Sequence, residues 1–384
     1  MKKIFTLTAA GLLAAASFGA QAQVMVDGQL TAAEITAGNY VLLGKYTNPR
    51  GFGDAGLLSL YAASTPTKVY FFLGGTVETN GNAFQLFLDL PATTGVPAGT
   101  ALPAGTAGTS FQKMTAKMDL PVDLALALRS DGMGFKIEGA TYTPVLATSK
   151  NLTGTTPLAG DGTALTLPTD AAFPMLAMAK VAYKNATGGK LSANPGNTTP
   201  NTDPAYGGVG TYGLEVELDR TALGATGTPT LSVFALQNGG DGGYLSSDYI
   251  PQATTPPAGN GNLEDASKVD FATVPGRQAA TFTLSATGVV LANKAADANA
   301  LALQVYPNPA TSVATLEYNV GSRADNVNIM LTDLMGRNVQ SLVNGLQPAG
   351  KQSTSVSTAE IAAGTYLVRV QVGDKVSTRK VVLL

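Results

Sequence analysis

The residues best suited to chemistry lie in one stretch, Asn238-Gly239-Gly240-Asp241-Gly242-Gly243-Tyr244-Leu245-Ser246-Ser247-Asp248-Tyr249-Ile250-Pro251. Hard cations take carboxylate and carbonyl oxygens from a flexible backbone, so Asp241 and Asp248 could ligate Ca²⁺, although the spacing is not that of an EF-hand loop. Asp and Gly serve turns equally well. Two acidic sets, Asp119 with Asp123 and Glu215 with Glu217 and Asp219, are candidates for the paired carboxylates of glycoside hydrolysis. The second set recurs at period two, which is also the pattern of a solvated strand face. Tyr206, Tyr212, Tyr244 and Tyr249 sit in or beside Gly-rich loops. They could offer a sugar flat faces and hydroxyls, or simply pin those loops.

Composition removes much other chemistry. The 384 residues include no Cys, His or Trp. Disulfides and thiol catalysis are excluded. So are the commonest metal ligand, the usual near-neutral base and every Ser-His-Asp or Cys-His arrangement. The strongest stacking residue for sugars is missing. Residues 23–300 hold 15 Lys/Arg against 21 Asp/Glu, net −6, and residues 301–384 hold 7 against 5, net +2. No basic block marks a nucleic-acid partner. Without disulfides the fold must rest on a large apolar core, which this length allows.

Any site must be positioned by strands. Gly, Ala, Thr and Pro abundance with few charges suits strands joined by long loops. Strands are expected over Tyr40–Leu43, Gly56–Ala62, Phe135–Tyr142, Tyr212–Arg220, Thr230–Asn238 and Ala280–Leu284. Val69–Val77 and Ala83–Leu90 flank Asn80-Gly81-Asn82 and read as a hairpin. On Tyr212–Arg220, Leu214, Val216 and Leu218 point inward and Glu215, Glu217 and Asp219 outward. Lys117 to Arg129 is rich in Leu and Ala and fits either a strand pair or a short helix. Residues 91–110 and 185–213 read as long exposed loops, and 286–300 as a small-residue linker.

The C-terminal stretch has its own pattern. Tyr306-Pro307-Asn308-Pro309 cannot be helix or interior strand, because two prolines fix φ and remove donors. Alternating runs follow at Val313–Val320, Val327–Asp333, Gly364–Val372 and Val376–Leu384, with Gly373-Asp374-Lys375 as a hairpin connection. About eighty residues at this spacing suit a small β-sandwich. With Asp333-Leu334-Met335-Gly336-Arg337, Ala363-Gly364-Thr365-Tyr366-Leu367-Val368 and the ending Arg379-Lys380-Val381-Val382-Leu383-Leu384, the stretch resembles the C-terminal sorting domain of the type IX (Por) secretion system of the Bacteroidetes. The positions that carry the resemblance are Tyr306, Pro307, Asn308, Pro309, Gly336, Arg337, Gly364, Tyr366, Arg379 and Lys380. It implies recognition by an outer-membrane translocon, often with removal of the domain, and release or surface attachment of the rest.

The N-terminus agrees with export. Met1-Lys2-Lys3, an apolar run from Ile4 to Phe18 and Ala20-Gln21-Ala22 read as a signal peptide over residues 1–22. No run is long enough to span a bilayer. Asp27-Gly28-Gln29-Leu30 before Glu34, followed by paired aromatic strands, is similar to the family 9 carbohydrate-binding and DOMON-like β-sandwiches. Ile35 stands where that family has Trp and no haem-ligand pair is evident, so neither sugar stacking nor haem is carried over.

The chain is thus expected to be all-β. A signal peptide (1–22) precedes a large β-sandwich cargo domain with long loops (23–285), a linker (286–300) and a small immunoglobulin-like β-sandwich for sorting (301–384). The expected function is a non-catalytic binding or structural protein, surface-attached or released, with a glycan or envelope ligand. The partners are the type IX translocon and a glycan, and no cofactor is expected beyond Ca²⁺. The alternative is an extracellular carboxylate-based hydrolase.

Overall fold

The computed structural model describes residues 24–384 apart from 37–38, 49, 51, 131, 133, 201–202, 204, 253–260, 275–277, 286–287, 292–300, 322–323, 334–337, 358–360 and 373–374. The stretch read as a signal peptide, most of that read as a linker, Gly336 and Arg337 lie outside the described residues.

One helical turn, α1 (Ala32–Thr36), precedes the strands β1 (Val41–Lys45), β2 (Gly56–Ser64), β3 (Lys68–Thr76), β4 (Ala83–Asp89) and β5 (Leu124–Ser130). Next come β6 (Phe135–Thr143), β7 (Leu146–Asn151), β8 (Leu165–Thr166), β9 (Lys180–Tyr183) and β10 (Gly213–Asp219). The cargo closes with β11 (Thr230–Asn238), β12 (Tyr244–Ile250), β13 (Glu264–Asp265), β14 (Ala280–Ser285) and β15 (Gly288–Leu291). One sheet runs β1-β2-β3-β10-β9-β8. A nine-stranded sheet runs β13-β12-β11-β4-β5-β6-β7, with β14 on β11 and β15 on β14. All these pairings are antiparallel. β15 lies within the stretch read as linker, so the sheet continues past Ser285.

The two sheets enclose one core. Leu57, Phe71, Leu73, Val181 and Val216 meet Phe84, Leu86, Leu126, Ile137 and Val233 across it. The nine-stranded sheet also buries its other face. There Phe87, Ala125, Ala127, Phe234 and Tyr249 are covered by Val96, Leu102, Phe111, Met114 and Met118 of the irregular segment between β4 and β5, and by Phe271. Residues 91–110 were expected to be an exposed loop. Instead this segment forms part of a third layer, tacked down by backbone hydrogen bonds such as Val96 to Val122 at 2.9 Å and Gly105 to Phe111 at 2.9 Å.

That layer settles the ambiguity over Lys117–Arg129: only the end of the stretch is a strand, β5, and Lys117–Asp123 belongs to the irregular segment before it. Leu124, Leu126 and Leu128 fill the inter-sheet core, while Ala125 and Ala127 lie under the covering segment. The alternation is one of size, not polarity. Ala favours helix intrinsically, but here a small side chain lets irregular chain lie close on a strand.

The expected hairpin of Val69–Val77 with Ala83–Leu90 does not form. β3 pairs with β2 and β10, and β4 pairs with β5 and β11, so Val77–Asn82 carries the chain from one sheet to the other. Both strands are buried on both faces, so their composition carries no mark of which edge each must join.

The tail holds β16 (Gln304–Tyr306), β17 (Val313–Asn319), β18 (Asp325–Thr332), β19 (Asn338–Gln347), β20 (Lys351–Ser357), β21 (Gly364–Val372) and β22 (Lys375–Leu383). A three-stranded sheet, β16-β17-β20, and a four-stranded sheet, β19-β18-β21-β22, share a core of Leu303, Leu316, Val327, Ile329, Val356, Val368, Val370 and Val381. Tyr306, read as the start of a loop, ends an edge strand before the prolines. β19 and β20 were missed because they are largely polar.

The third layer makes a prediction. Ala125→Leu should overpack the space beneath it and destabilise the cargo by about 1–3 kcal/mol, measured as a lower urea midpoint at unchanged slope. A neutral result would mean that the covering segment does not press on β5.

Candidate functional site

One end of the cargo sandwich is organised by a buried ion pair. Arg50, in the Gly-rich loop between β1 and β2, places Nε 3.0 Å from Asp248 Oδ2 on β12. The Asp248 side chain is wholly buried and that of Arg50 nearly so. Asp248 also accepts the Leu57 N–H at 3.0 Å, and Arg50 Nη2 donates to Leu57 O and to Tyr206 Oη, the latter at 3.1 Å. Tyr206 donates on to Tyr46 O, and Arg50 stacks 5.0 Å from the Tyr46 ring centroid. Burial draws the Asp248 carboxyl upward from the usual carboxylate range, and the Arg50 guanidinium opposes it. Gly56 makes the approach feasible: its φ is +148°, and a Cβ there would lie 2.1 Å from Asp248 Oδ2.

The pair sets what reaches the surface. Phe52 lies two residues beyond Arg50, and Tyr244 lies on the same face of β12 as Asp248. Their rings stack with centroids 5.9 Å apart and planes 21° from parallel. Phe52 is half-buried and Tyr244 exposed. Polar groups surround them. Asn262 Nδ2 donates to Tyr244 Oη at 3.3 Å. Glu78 stands against Gly53 and takes Asn80 Nδ2 at 2.8 Å and Asn82 Nδ2 at 3.1 Å on one carboxylate oxygen. An aromatic surface beside a carboxylate and three carboxamides can bind a polyhydroxylated ligand: rings contact C–H faces and polar groups pair with hydroxyls.

The sequence candidates are dispersed. Asp241 is half-exposed and pairs with Lys113 at 2.7 Å, while Asp248 is fully buried on Arg50, so the two do not share a site. Among the described residues no group of three or more acidic side chains could hold a metal ion. The Gly-rich stretch serves packing. A Cβ at Gly242, φ +81°, would fall 2.1 Å from Ser110 O in the covering layer. Residues 244–250 form β12 instead of a loop. The four tyrosines do not build one platform. Tyr206 and Tyr249 are buried, Tyr249 against Phe234 and Phe271, and Tyr212 lies under Lys184 Nζ at 4.5 Å. Only Tyr244 is exposed, and its partner Phe52 carried no signal beyond its Gly-rich surroundings.

The acidic sets also separate. Asp123 is buried and accepts the Leu90 N–H at 2.7 Å, and Asp119 accepts the Gln278 N–H at 2.9 Å. Lys68 lies 3.6 Å from Glu217 and 3.4 Å from Asp219. Glu215, expected on a solvated face, is completely buried. It accepts Asp27 N–H at 2.9 Å, Gly28 N–H at 3.0 Å and Tyr40 Oη–H at 2.7 Å. The N-terminal segment crosses this face of the sheet and covers it. Glu34 closes a capping box with Thr31, and Leu30 packs on Tyr40, Tyr61 and Phe72. The Asp27-Gly28 motif is therefore a structural latch.

In the tail, the motif residues join its start to its end. Asn308 Nδ2 donates to Lys380 O at 2.9 Å, and Val382 N–H donates to Asn308 Oδ1 at 2.9 Å. Ala310 N–H continues to Val382 O, and Leu384 N–H to Ala310 O, both at 2.9 Å. Arg379 Nε reaches Leu303 O at 3.3 Å, Tyr366 Oη caps Ala362 O at 2.7 Å, and Gly364 pairs with Leu383. The Pro-Asn-Pro turn thus imitates a strand along β22, with a side-chain amide in place of a peptide.

Residues 304–384 match the family model of the secretion system C-terminal sorting domain. A type IX sorting domain thus occupies the C-terminus, and it implies export to the cell surface or extracellular space. No helix among the described residues is long and apolar enough to cross a membrane. No curated protein matches the chain. Among solved structures, dimeric latent PorU from Porphyromonas gingivalis aligns at 12% identity and TM-score 0.19, over 83% of this chain and 32% of that chain. PorZ, a surface component of the type IX secretion system of the same organism, aligns at 10% and 0.17, over 85% and 43%. The CupB6 tip adhesin of Pseudomonas aeruginosa aligns at 9% and 0.13, over 90% and 95%. The chain spans less than half the length of the PorU and PorZ chains, and likenesses of this size carry no argument about fold or function.

Two predictions arise. Burial pushes the Glu215 carboxyl up to about 8, against the lowering pull of Tyr40, Asp27 and Gly28. The folded state therefore keeps a proton that the unfolded chain releases near pH 4.5. The associated stability is complete below that pH and falls by roughly 1.4 kcal/mol per unit until pH passes about 8. Denaturant midpoints of wild type minus Glu215→Gln across pH 4–9 should show this slope, and a flat difference would refute it. For the clasp, Asn308→Ala should weaken the end of β22 by about 1–2 kcal/mol, seen as faster amide exchange at Val382 and Leu384. Asn308→Asp, which keeps only the acceptor, should fall between.

Proposed function

We propose that the cargo, residues 23–285, is a non-catalytic binding module, displayed on or released from the cell surface, that recognises a glycan of the envelope or surroundings. The observation that carries this reading is the stacked Phe52–Tyr244 pair, presented beside Glu78, Asn80, Asn82 and Asn262. Aromatic faces with a few oriented polar groups suit sugar rings, and loops held by a rigid scaffold are the usual place for such groups. The Arg50–Asp248 pair supports the reading, since it holds the loop carrying Phe52 against the strand carrying Tyr244 before any ligand arrives. The hydrolase alternative needs two carboxyl groups across one open space. Asp123 and Glu215 are instead committed to backbone donors under burial, and Glu217 and Asp219 share Lys68.

The test is a glycan array probed with the full chain, followed by titration of any hit. Phe52→Ala and Tyr244→Ala should each weaken binding about tenfold or more, equivalent to at least about 1.4 kcal/mol, with thermal midpoints close to wild type. Retention of no glycan, or hits insensitive to both substitutions, would overturn the reading.

A further inference from the structure

The four-stranded sheet of the tail buries one face and turns the other outward. On the outward face the strand register sets Asn344 of β19, Asn328 of β18 and Gln371 of β21 side by side in one row. Asn326 lies two residues before Asn328 and points the same way. These four carboxamides, with Val327, line a surface groove of about 180 Å³. Two irregularities in the β18–β19 register, after Ile329 and after Leu331, bend the edge strand that forms one wall. Arg369 occupies the next row, opposite Met330, and Lys380 the row after, opposite Leu367; both cations are exposed. No outward-facing position of β18, β21 or β22 carries a carboxylate, and β19 has none in its sequence.

Each carboxamide offers an acceptor and two donors, which suits the mixed donor and acceptor character of neighbouring sugar hydroxyls. Guanidinium and ammonium groups beside them suit a carboxylate or sulfate. A face with cations and no carboxylate is complementary to a negatively charged chain. A protein partner would be expected to anchor on buried aromatic side chains, and among the described residues no aromatic side chain lines the groove. We propose that this outer face is a binding site for an acidic polysaccharide, with Asn326, Asn328, Asn344 and Gln371 reading hydroxyls and Arg369 and Lys380 meeting the charged groups. The site would give the sorting domain a contact with anionic glycan during or after passage to the surface. It does not depend on the Phe52–Tyr244 reading.

The experiment is affinity electrophoresis of the full chain through gels containing polygalacturonate, dextran or poly-glutamate. Polygalacturonate should retard the wild type and dextran should retard it less. Asn328→Asp and Asn344→Asp keep side-chain shape while adding charge, so each should weaken the polygalacturonate interaction about tenfold without moving the thermal midpoint. Arg369→Gln should weaken it and reduce its dependence on salt. No retardation by polygalacturonate, or retardation insensitive to both Asp substitutions, would overturn the proposal. Equal retardation by dextran would overturn the requirement for acidity. Retardation by poly-glutamate alone would overturn it in favour of an acidic protein partner.

Discussion

The nine-stranded sheet of the cargo is apolar on both faces, and the need to bury both governs the rest of that domain. A second sheet covers one face, as in any sandwich. The other face, with Phe87, Phe234, Leu236 and Tyr249, has no sheet to cover it. Irregular chain from between β4 and β5, joined by Phe271, does so instead. Such chain can be buried only if its peptide groups are paired. Here they pair with each other and with buried side chains such as Asp123, Gln85 and Glu138. The long Gly-, Pro- and Thr-rich segment is thus a structural layer, and its small residues are what permit close approach.

Ionisable groups are few, and several of them are buried at junctions. Asp248 with Arg50 ties β12 to β2 and to the loop between β1 and β2. Glu138 with Arg129 and the Ser110 N–H ties β6 to the covering layer. Glu215 ties the N-terminal segment to β10. A buried carboxyl group is a poor source of net stability, because desolvation offsets most of what its contacts contribute. Its geometric demand is strict, however, and these three fix where irregular chain meets the sheets. One result is an aromatic pair held in place at the end of the sandwich.

The tail solves a different problem. Its start and end must meet, and the prolines beside Asn308 leave that turn short of backbone donors. The Asn308 carboxamide restores a donor and an acceptor at the place where β22 needs both. The residues by which the sorting family is recognised are therefore in part those that close the fold. The outward face of the four-stranded sheet is under no such demand, and Asn326, Asn328, Asn344 and Gln371 line a groove there.

The sequence by itself determined the all-β class, the sorting tail and most strands, because alternation, Pro spacing and terminal motifs are local signals. It also excluded thiol, histidine and disulfide chemistry outright. Pairing was beyond its reach: β3 and β4 lie in different sheets although a turn signal sits between them, since strands buried on both faces do not state their neighbours. It also could not distinguish a solvated acidic face from a buried one, because Glu215, Glu217 and Asp219 alternate identically and only the overlying Asp27–Leu30 segment separates them. Of the candidate site, Tyr244 was legible and Phe52 was not. The two come together through Arg50 and Asp248, 198 residues apart in the chain, and a contact of that range exists only once the sheets have packed.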